Sequence, residues 1–445
     1  MQTGFFRKKR NVILLILLAG FVALQAIRAD IPQEPANKAM ETPAAVTAVL
    51  QKACFDCHSN QTQLAWFDQL VPAQWLVASH IKEGRKVLNF SHWDSLSAGD
   101  RKAKLFESLN QMMFQTMPLP SYTALHSKAR ISPQDIEVLK SYLSGMLTTG
   151  KASDSTHVQA TLQQFAQWQR QGTPDTTSIK ATLNGIAYIH GYDNWTAIST
   201  TERLDNGTMR IIFGNDVAVK AIQEHHTNPW PDGTILAKVA WDQLTDTAGQ
   251  VTTGEYKQVE FMIKDNDKYD DTNGWGFARW KGLQPQPYGK NELFTTECVN
   301  CHQPMRDNDF VFTTPQTAQA FGTSNPPVKV LTSTIDKKEH TTALLYGNTT
   351  AYTWARSHNT GDYPAGAVLT MVTWQQADDD NWFGARIPDK AIYTEEVQFT
   401  GKAQQPVIYH RYKGNTREEM PALTSQATSQ RIQHIIHLKA AVMPG

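Results

Sequence analysis

The feature that most restricts the fold of this chain is a stretch that occurs twice. "IIFGNDVAVKAIQEHHTNPWPDGTILAKVAWDQ" from Ile211 aligns without a gap on "LLYGNTTAYTWARSHNTGDYPAGAVLTMVTWQQ" from Leu344. Gly214/Gly347, Asn215/Asn348, Ala218/Ala351, His225/His358, Pro231/Pro364, Gly233/Gly366, Leu236/Leu369, Val239/Val372 and Trp241/Trp374 coincide. Turn residues and strand residues match together, which favours one architecture used twice over two unrelated stretches. "QVEF" and "EVQF" follow in the same order after a small gap.

Around this region "NWTAIST", "TMRIIFG", "TILAKVAW", "KQVEFMIK" and "WGFARW" alternate with Gly, Asn and Asp turns, the pattern of an all-β unit. Before it, from about Asp30 to Gly150, apolar residues recur at three- and four-residue steps. "PAAVTAVLQKAC", "AQWLVASHIKEG", "RKAKLFESLNQMM" and "SPQDIEVLKSYLSGML" read as helices, the last with a cap from Ser132 to Asp135. Residues 151–190 are rich in Gln and Thr, partly helical in "QATLQQFAQWQRQG", and read as a linker. A chain of 445 residues accommodates two or three such units. Its 42 basic residues balance 42 acidic ones with no basic stripe beyond the N-terminus, which argues against a nucleic-acid partner.

The four cysteines fall as Cys54, Cys57, Cys298 and Cys301, each pair followed at once by a histidine in "CFDCH" and "CVNCH". In such a motif each thiol adds to a haem vinyl group and the histidine becomes the proximal iron ligand. A thioredoxin-like dithiol, a four-cysteine zinc site and chance compete with this reading. A dithiol needs no adjacent histidine, a zinc site would ignore both histidines, and chance does not explain why no cysteine lies outside the pattern. The expectation is two covalently bound c-type haems, with His58 and His302 as proximal ligands. The N-terminus agrees: "FRKKR" precedes "NVILLILLAGFVALQAI", a basic region before an apolar run, which places the bulk of the chain in the periplasm or on the outer face of a membrane. In "ALQA" a small residue is preferred where Leu24 stands, so residues 1–29 read as a membrane anchor more readily than as a cleaved signal peptide.

Lys238 stands out within "WPDGTILAKVAW", on a strand face otherwise formed by Leu236 and Ala240. The second copy has Met371 at that place and no cysteine motif downstream. A lysine on a partly apolar face must snorkel, pair or do chemistry, and composition alone favours snorkelling.

"DNWTAISTTERLDNGTMRIIFGNDVAVKAI", "WPDGTILAKVAW" and "LFTTECVNCH" followed by "DNDFVFT" resemble the cytochrome P-460 family. The resemblance implies a β-rich c-type cytochrome, typically a homodimer, whose five-coordinate haem is bonded to a lysine and whose best-known members oxidise hydroxylamine. It implies Cys298 and Cys301 as attachment points, His302 as proximal ligand and Lys238 as the cross-linking residue. The related cytochromes c′-beta lack the cross-link and bind nitric oxide or similar gases. The part from "ACFDCHSNQTQLAWF" through "MPLPSYTALH" resembles a family of small haem-binding domains of exported proteins. There Met117 would be the sixth iron ligand, His80 the alternative, and Met112 and Met113 core residues.

The expected architecture is an all-α cytochrome c-like domain at 30–150, a P-460-like haem domain at 191–325, and a degenerate haem-less repeat with a C-terminal tail at 326–445. Hydroxylamine-like oxidation at the second haem, with electrons leaving through the first to an external acceptor such as a soluble cytochrome, is the leading expectation. Gas binding and plain electron transfer are the rivals. Glu260 and Asp216 are candidate acid-base groups, though nothing in the sequence places them over the iron. The haem-less copy could stand in for a dimer partner and leave the protein monomeric. His434 and His437 lie three apart on a probable helix, where packing is a better account than metal binding.

Overall fold

The computed structural model describes residues 3–33, 40–147, 152–171, 179–289, 294–316, 329–358, 361–402, 404–414 and 416–445. They form two compact units, Met1–Met146 and Leu147–Gly445.

The first unit is helical: α1 (Thr3–Leu24), α2 (Ala44–Ala53), α3 (Phe55–His58), α4 (Ala73–Val87), α5 (Ala98–Met113), α6 (Pro120–Leu125) and α7 (Pro133–Ser144). Its apolar stripes meet in a core containing Leu50, Ile81, Phe106, Leu109, Met112 and Leu139. The sequence-level cap is present: the Ser132 hydroxyl accepts from the Asp135 amide, and the Asp135 carboxylate accepts from the Ser132 amide. Lys52 then ties α2 to that turn through Asp135, 2.6 Å away. Along α1, Val12 to Leu18 are exposed. Among the described residues no helix is long and apolar enough to cross a membrane.

The second unit opens with α8 (Ser155–Gln171). The described residues of 151–190 do not read as a linker: Phe165, Trp168, Ile186 and Tyr188 are buried in the main core of this unit. The sparse apolar stripe of α8 is masked in the composition by the Gln residues on its other face.

Next come β1 (Thr196–Arg203), β2 (Thr208–Gly214), α9 (Asp216–Gln223), β3 (Ile235–Thr245), β4 (Gln250–Lys264), β5 (Trp275–Lys281), β6 (Gln286–Pro287) and α10 (Phe294–His302). The chain continues through β7 (Lys329–Asp336), β8 (Thr341–Gly347), α11 (Thr349–Ser357), β9 (Val368–Asp378), β10 (Ala385–Lys402), β11 (Gln405–Lys413) and α12 (Ser425–Ile436). A β-β-α-β-β order thus occurs at 196–264 and again at 329–402. The turns agree in detail: Oδ1 of the Asn215 side chain caps α9 by accepting from the Ala218 amide and also accepts from the Ile235 amide, and Asn348 does the same for Ala351 and Val368.

The strands lie in the order β3-β2-β1-β10-β9-β8-β7-β4, and pairing of β3 with β4 closes the ring. The two joints between segments are reciprocal. At one, Glu202 of β1 faces Arg386 of β10; at the other, Asp336 of β7 faces Gln250 of β4. The matched Trp241 and Trp374 are both buried in one core, each contributing about 2–3 kcal/mol. The segment after α12 joins this core: Val442 accepts a hydrogen bond from the Trp241 indole, and Ala441 donates to Leu331.

Candidate haem sites

In the first unit α3 carries Cys57 and His58, with Cys54 at its N-cap. Helix α4 closes on this motif at Gly84, where a Cβ would come within 2.9 Å of the Cys57 carbonyl oxygen and 3.3 Å of the His58 ring. Only a residue without a side chain permits that approach. His58 is half-buried, with Nδ1 3.1 Å from the Leu88 carbonyl oxygen. Burial lowers its pKa below the usual histidine value, so the ring is held neutral.

Met117 is 36 % exposed in the loop between α5 and α6, and Met112 is in the core. That loop leads into α6, where the Tyr122 hydroxyl donates to Asp56 inside the cysteine motif at 2.6 Å. Immediately after, His126 stacks on Tyr122 and pairs with Asp68 at 2.8 Å. The strap bearing Met117 is thereby fastened to the motif it was expected to serve. His80 lies one turn before Gly84 on α4 and shares the helix face that packs against His58.

In the second unit α10 carries Cys298, Cys301 and His302. Cys298 and Val299 pack against an apolar wall that includes Leu236, Trp275, Phe277 and Val311. His302 lies between Phe277 and Phe312, each with its ring centroid 5.2 Å away. Its Nδ1 is 2.7 Å from the Phe310 carbonyl oxygen, and burial pushes its pKa down to about 4.

Lys238 does not snorkel; it pairs. Its Nζ is 2.8 Å from Glu260, which also meets Arg279 at 3.3 Å. The register explains this, because Lys238 sits opposite Glu260 and Glu260 opposite Arg279 across β3, β4 and β5. Burial opposes ionisation of Glu260, yet Arg279, Lys238 and Arg210 together hold its carboxyl far below the usual range. Burial lowers the pKa of Lys238; Glu260 opposes that shift while Arg210 and Arg279 reinforce it. Burial likewise pushes Arg210 down to about 10. Three of these charges also bear on the motif: Lys238, Glu260 and Arg279 act electrostatically on His302. Asp216, by contrast, is an exposed residue in the first turn of α9.

Arg210 and Arg279 carry the same signal in the sequence as Lys238, a charge inside a period-two strand, in "TMRIIFG" and "WGFARW". In the second segment the row matching Ile212, Lys238, Glu260 and Arg279 is Leu345, Met371, Glu395 and Arg411. There Glu395 is fully buried and bound by Arg431 of α12 and by the Tyr409 hydroxyl at 2.6 Å.

The donor sets fit haem. In each motif the backbone carbonyl on Nδ1 favours the tautomer whose Nε2 is free for iron, the usual second contact of a ligating histidine. The rival readings fare less well. Burial pushes Cys54 up to about 12 and Cys57 and Cys298 to about 11, the reverse of a redox-active dithiol. Among the described residues the cysteines join no group of three metal ligands. The group that does form, His157, Asp242 and Glu255, has Asp242 already paired with Lys257 at 2.9 Å. His434 and His437 belong to no such group.

Residues 14–145 match the family model of a haem-binding domain, and residues 189–313 match that of cytochrome P460. No curated protein matches the chain. The protein is a haem-based cytochrome that joins a helical haem-binding domain to a β-barrel cytochrome P460 domain.

Proposed function

We propose that the protein is an exported dihaem c-type cytochrome that oxidises a small nitrogen compound of the hydroxylamine type. Cys298, Cys301 and His302 would hold the reactive haem; Cys54, Cys57 and His58 would hold the second, with Met117 rather than His80 as its sixth ligand. The observation that carries this reading is the row Lys238–Glu260–Arg279 beside the P460 motif. When bound, haem supplies the redox chemistry, taking electrons from the substrate and passing them towards an external acceptor. The chain's own residues supply the rest. A lysine whose pKa is lowered by burial has a larger neutral fraction, the form able to bond to carbon. Oxidation of a hydroxylamine also releases protons, but Glu260, whose carboxyl Arg279, Lys238 and Arg210 hold far below the usual range, is a weak base and serves to hold Lys238 at its place on the strand.

A gas-binding c′-beta-like protein is the second reading, favoured by the Lys238–Glu260 ion pair if it keeps the amine protonated. Counting haems separates both from a chain with a single cofactor. Pyridine haemochromogen analysis is expected to give two covalent haems per chain and one in the Cys298→Ser/Cys301→Ser variant. An unchanged count in that variant would remove the basis of the proposal.

The protein would act in the periplasm, released or held by its N-terminal segment. The segment at 329–402 would be a degenerate, haem-less copy that replaces a dimer partner. Its support is the reciprocal pairing of β1 with β10 and β7 with β4, the exchange expected of an isologous interface. Trp382 of this segment also packs on Phe312, which flanks His302. Sedimentation of the holo-protein should then return the mass of one chain; a dimer formed through the first segment would contradict it.

A further inference from the structure

The loop after α10 delivers the Phe310 carbonyl to His302 in an unfavourable backbone conformation. Asp309 and Phe310 are consecutive non-glycine residues with φ of +45° and +64°. Each such residue costs on the order of 1 kcal/mol, so something must hold the pair. Asp309 is buried, and its two carboxylate oxygens are separately engaged. One lies 2.9 Å from Lys264 Nζ; the other accepts from the Trp230 amide at 2.8 Å. Lys264 is only 3 % exposed and lies over the Trp275 ring at 5.0 Å. The Phe310 amide donates to Met305 at 2.7 Å, which closes the turn from the other end. A buried ion pair is a weak source of net stability, which makes its placement beside a strained turn informative.

We propose that Lys264 and Asp309 are positioning residues for His302. By clasping the Asp309–Phe310 turn they keep the Phe310 carbonyl on Nδ1–H, which strengthens the imidazole as an iron ligand and lowers the potential of its haem. This rests on haem being held at Cys298, Cys301 and His302. The other proximal histidine has a longer contact, 3.1 Å, to Leu88 in extended backbone, and so serves as an internal reference.

The test uses the holo-protein with Lys264→Met, with Asp309→Asn, and with both changes. The double variant leaves no buried unpaired charge and keeps the experiment available if a single variant does not fold. The ferrous iron–histidine stretching band of the C-terminal haem is expected to move to lower frequency and its midpoint potential to rise. The potential of the N-terminal haem should stay fixed. Unchanged values in folded, haem-loaded variants would overturn the role of the clasp while leaving the proposed function intact. Absence of haem at His302 in the wild type would overturn both.

Discussion

The Lys238→Met variant is expected to keep both haems and to lose two properties together: a red-shifted ferrous band that survives denaturation, and hydroxylamine turnover. Methionine is the substitution the chain itself already carries, because Met371 occupies the matched place in β9 and is buried there. The strand therefore accepts it, and Glu260 retains Arg279 and Arg210 as counter-charges. With the scaffold preserved, the loss reports on the amine alone. Turnover should fall about 100-fold or more, the scale seen when a preorganised group at a reacting centre is deleted. Absorption spectra of native and denatured protein, with steady-state assays, decide it. If neither the band nor turnover changes, Lys238 is no more than the ion-pair partner of Glu260.

A second large effect is expected from Glu260→Gln. This change leaves Lys238, Arg279 and Arg210 gathered without their anion in a half-buried row. Removing the anion of a partly buried row in this way costs about 1–3 kcal/mol, readable as a lower urea midpoint. The pH dependence has a definite sign. The folded-state pKa of Glu260 is depressed below its usual 4.5, so its contribution is complete above that pH and is lost as pH falls further. The wild type should thus lose stability on acidification below about pH 4.5. Glu260→Gln should be less stable at neutral pH and flatter in that acid range; parallel curves would contradict the assignment.

Much of the architecture was legible because it rests on local patterns. The helical steps before Gly150, the alternating strands after Asp193 and the Asn215 and Asn348 turns are written in consecutive residues. The two cysteine motifs likewise carry their chemistry in five positions. What escaped is what depends on register and closure. Lys238, Glu260 and Arg279 are far apart in the chain and meet only because β3, β4 and β5 pair in one alignment. Without that alignment Asp216 was as good a candidate as Glu260. The segment 151–190 looked like a linker because two buried aromatics, Phe165 and Trp168, are diluted by glutamines. The turn at Asp309–Phe310 was hidden because its left-handed residues are not glycines, and the residues that hold it come from β4 and from Trp230.

The central claim is that a hydroxylamine-type substrate gives electrons at His302's haem and that they leave through His58's. Anaerobic mixing of the fully oxidised protein with hydroxylamine, without external acceptor, tests it most directly. The account predicts that the ferrous band of the N-terminal haem appears in the wild type and fails to appear in the Cys298→Ser/Cys301→Ser variant. An N-terminal haem that stays oxidised in the wild type, or that is reduced equally fast in the variant, would contradict it.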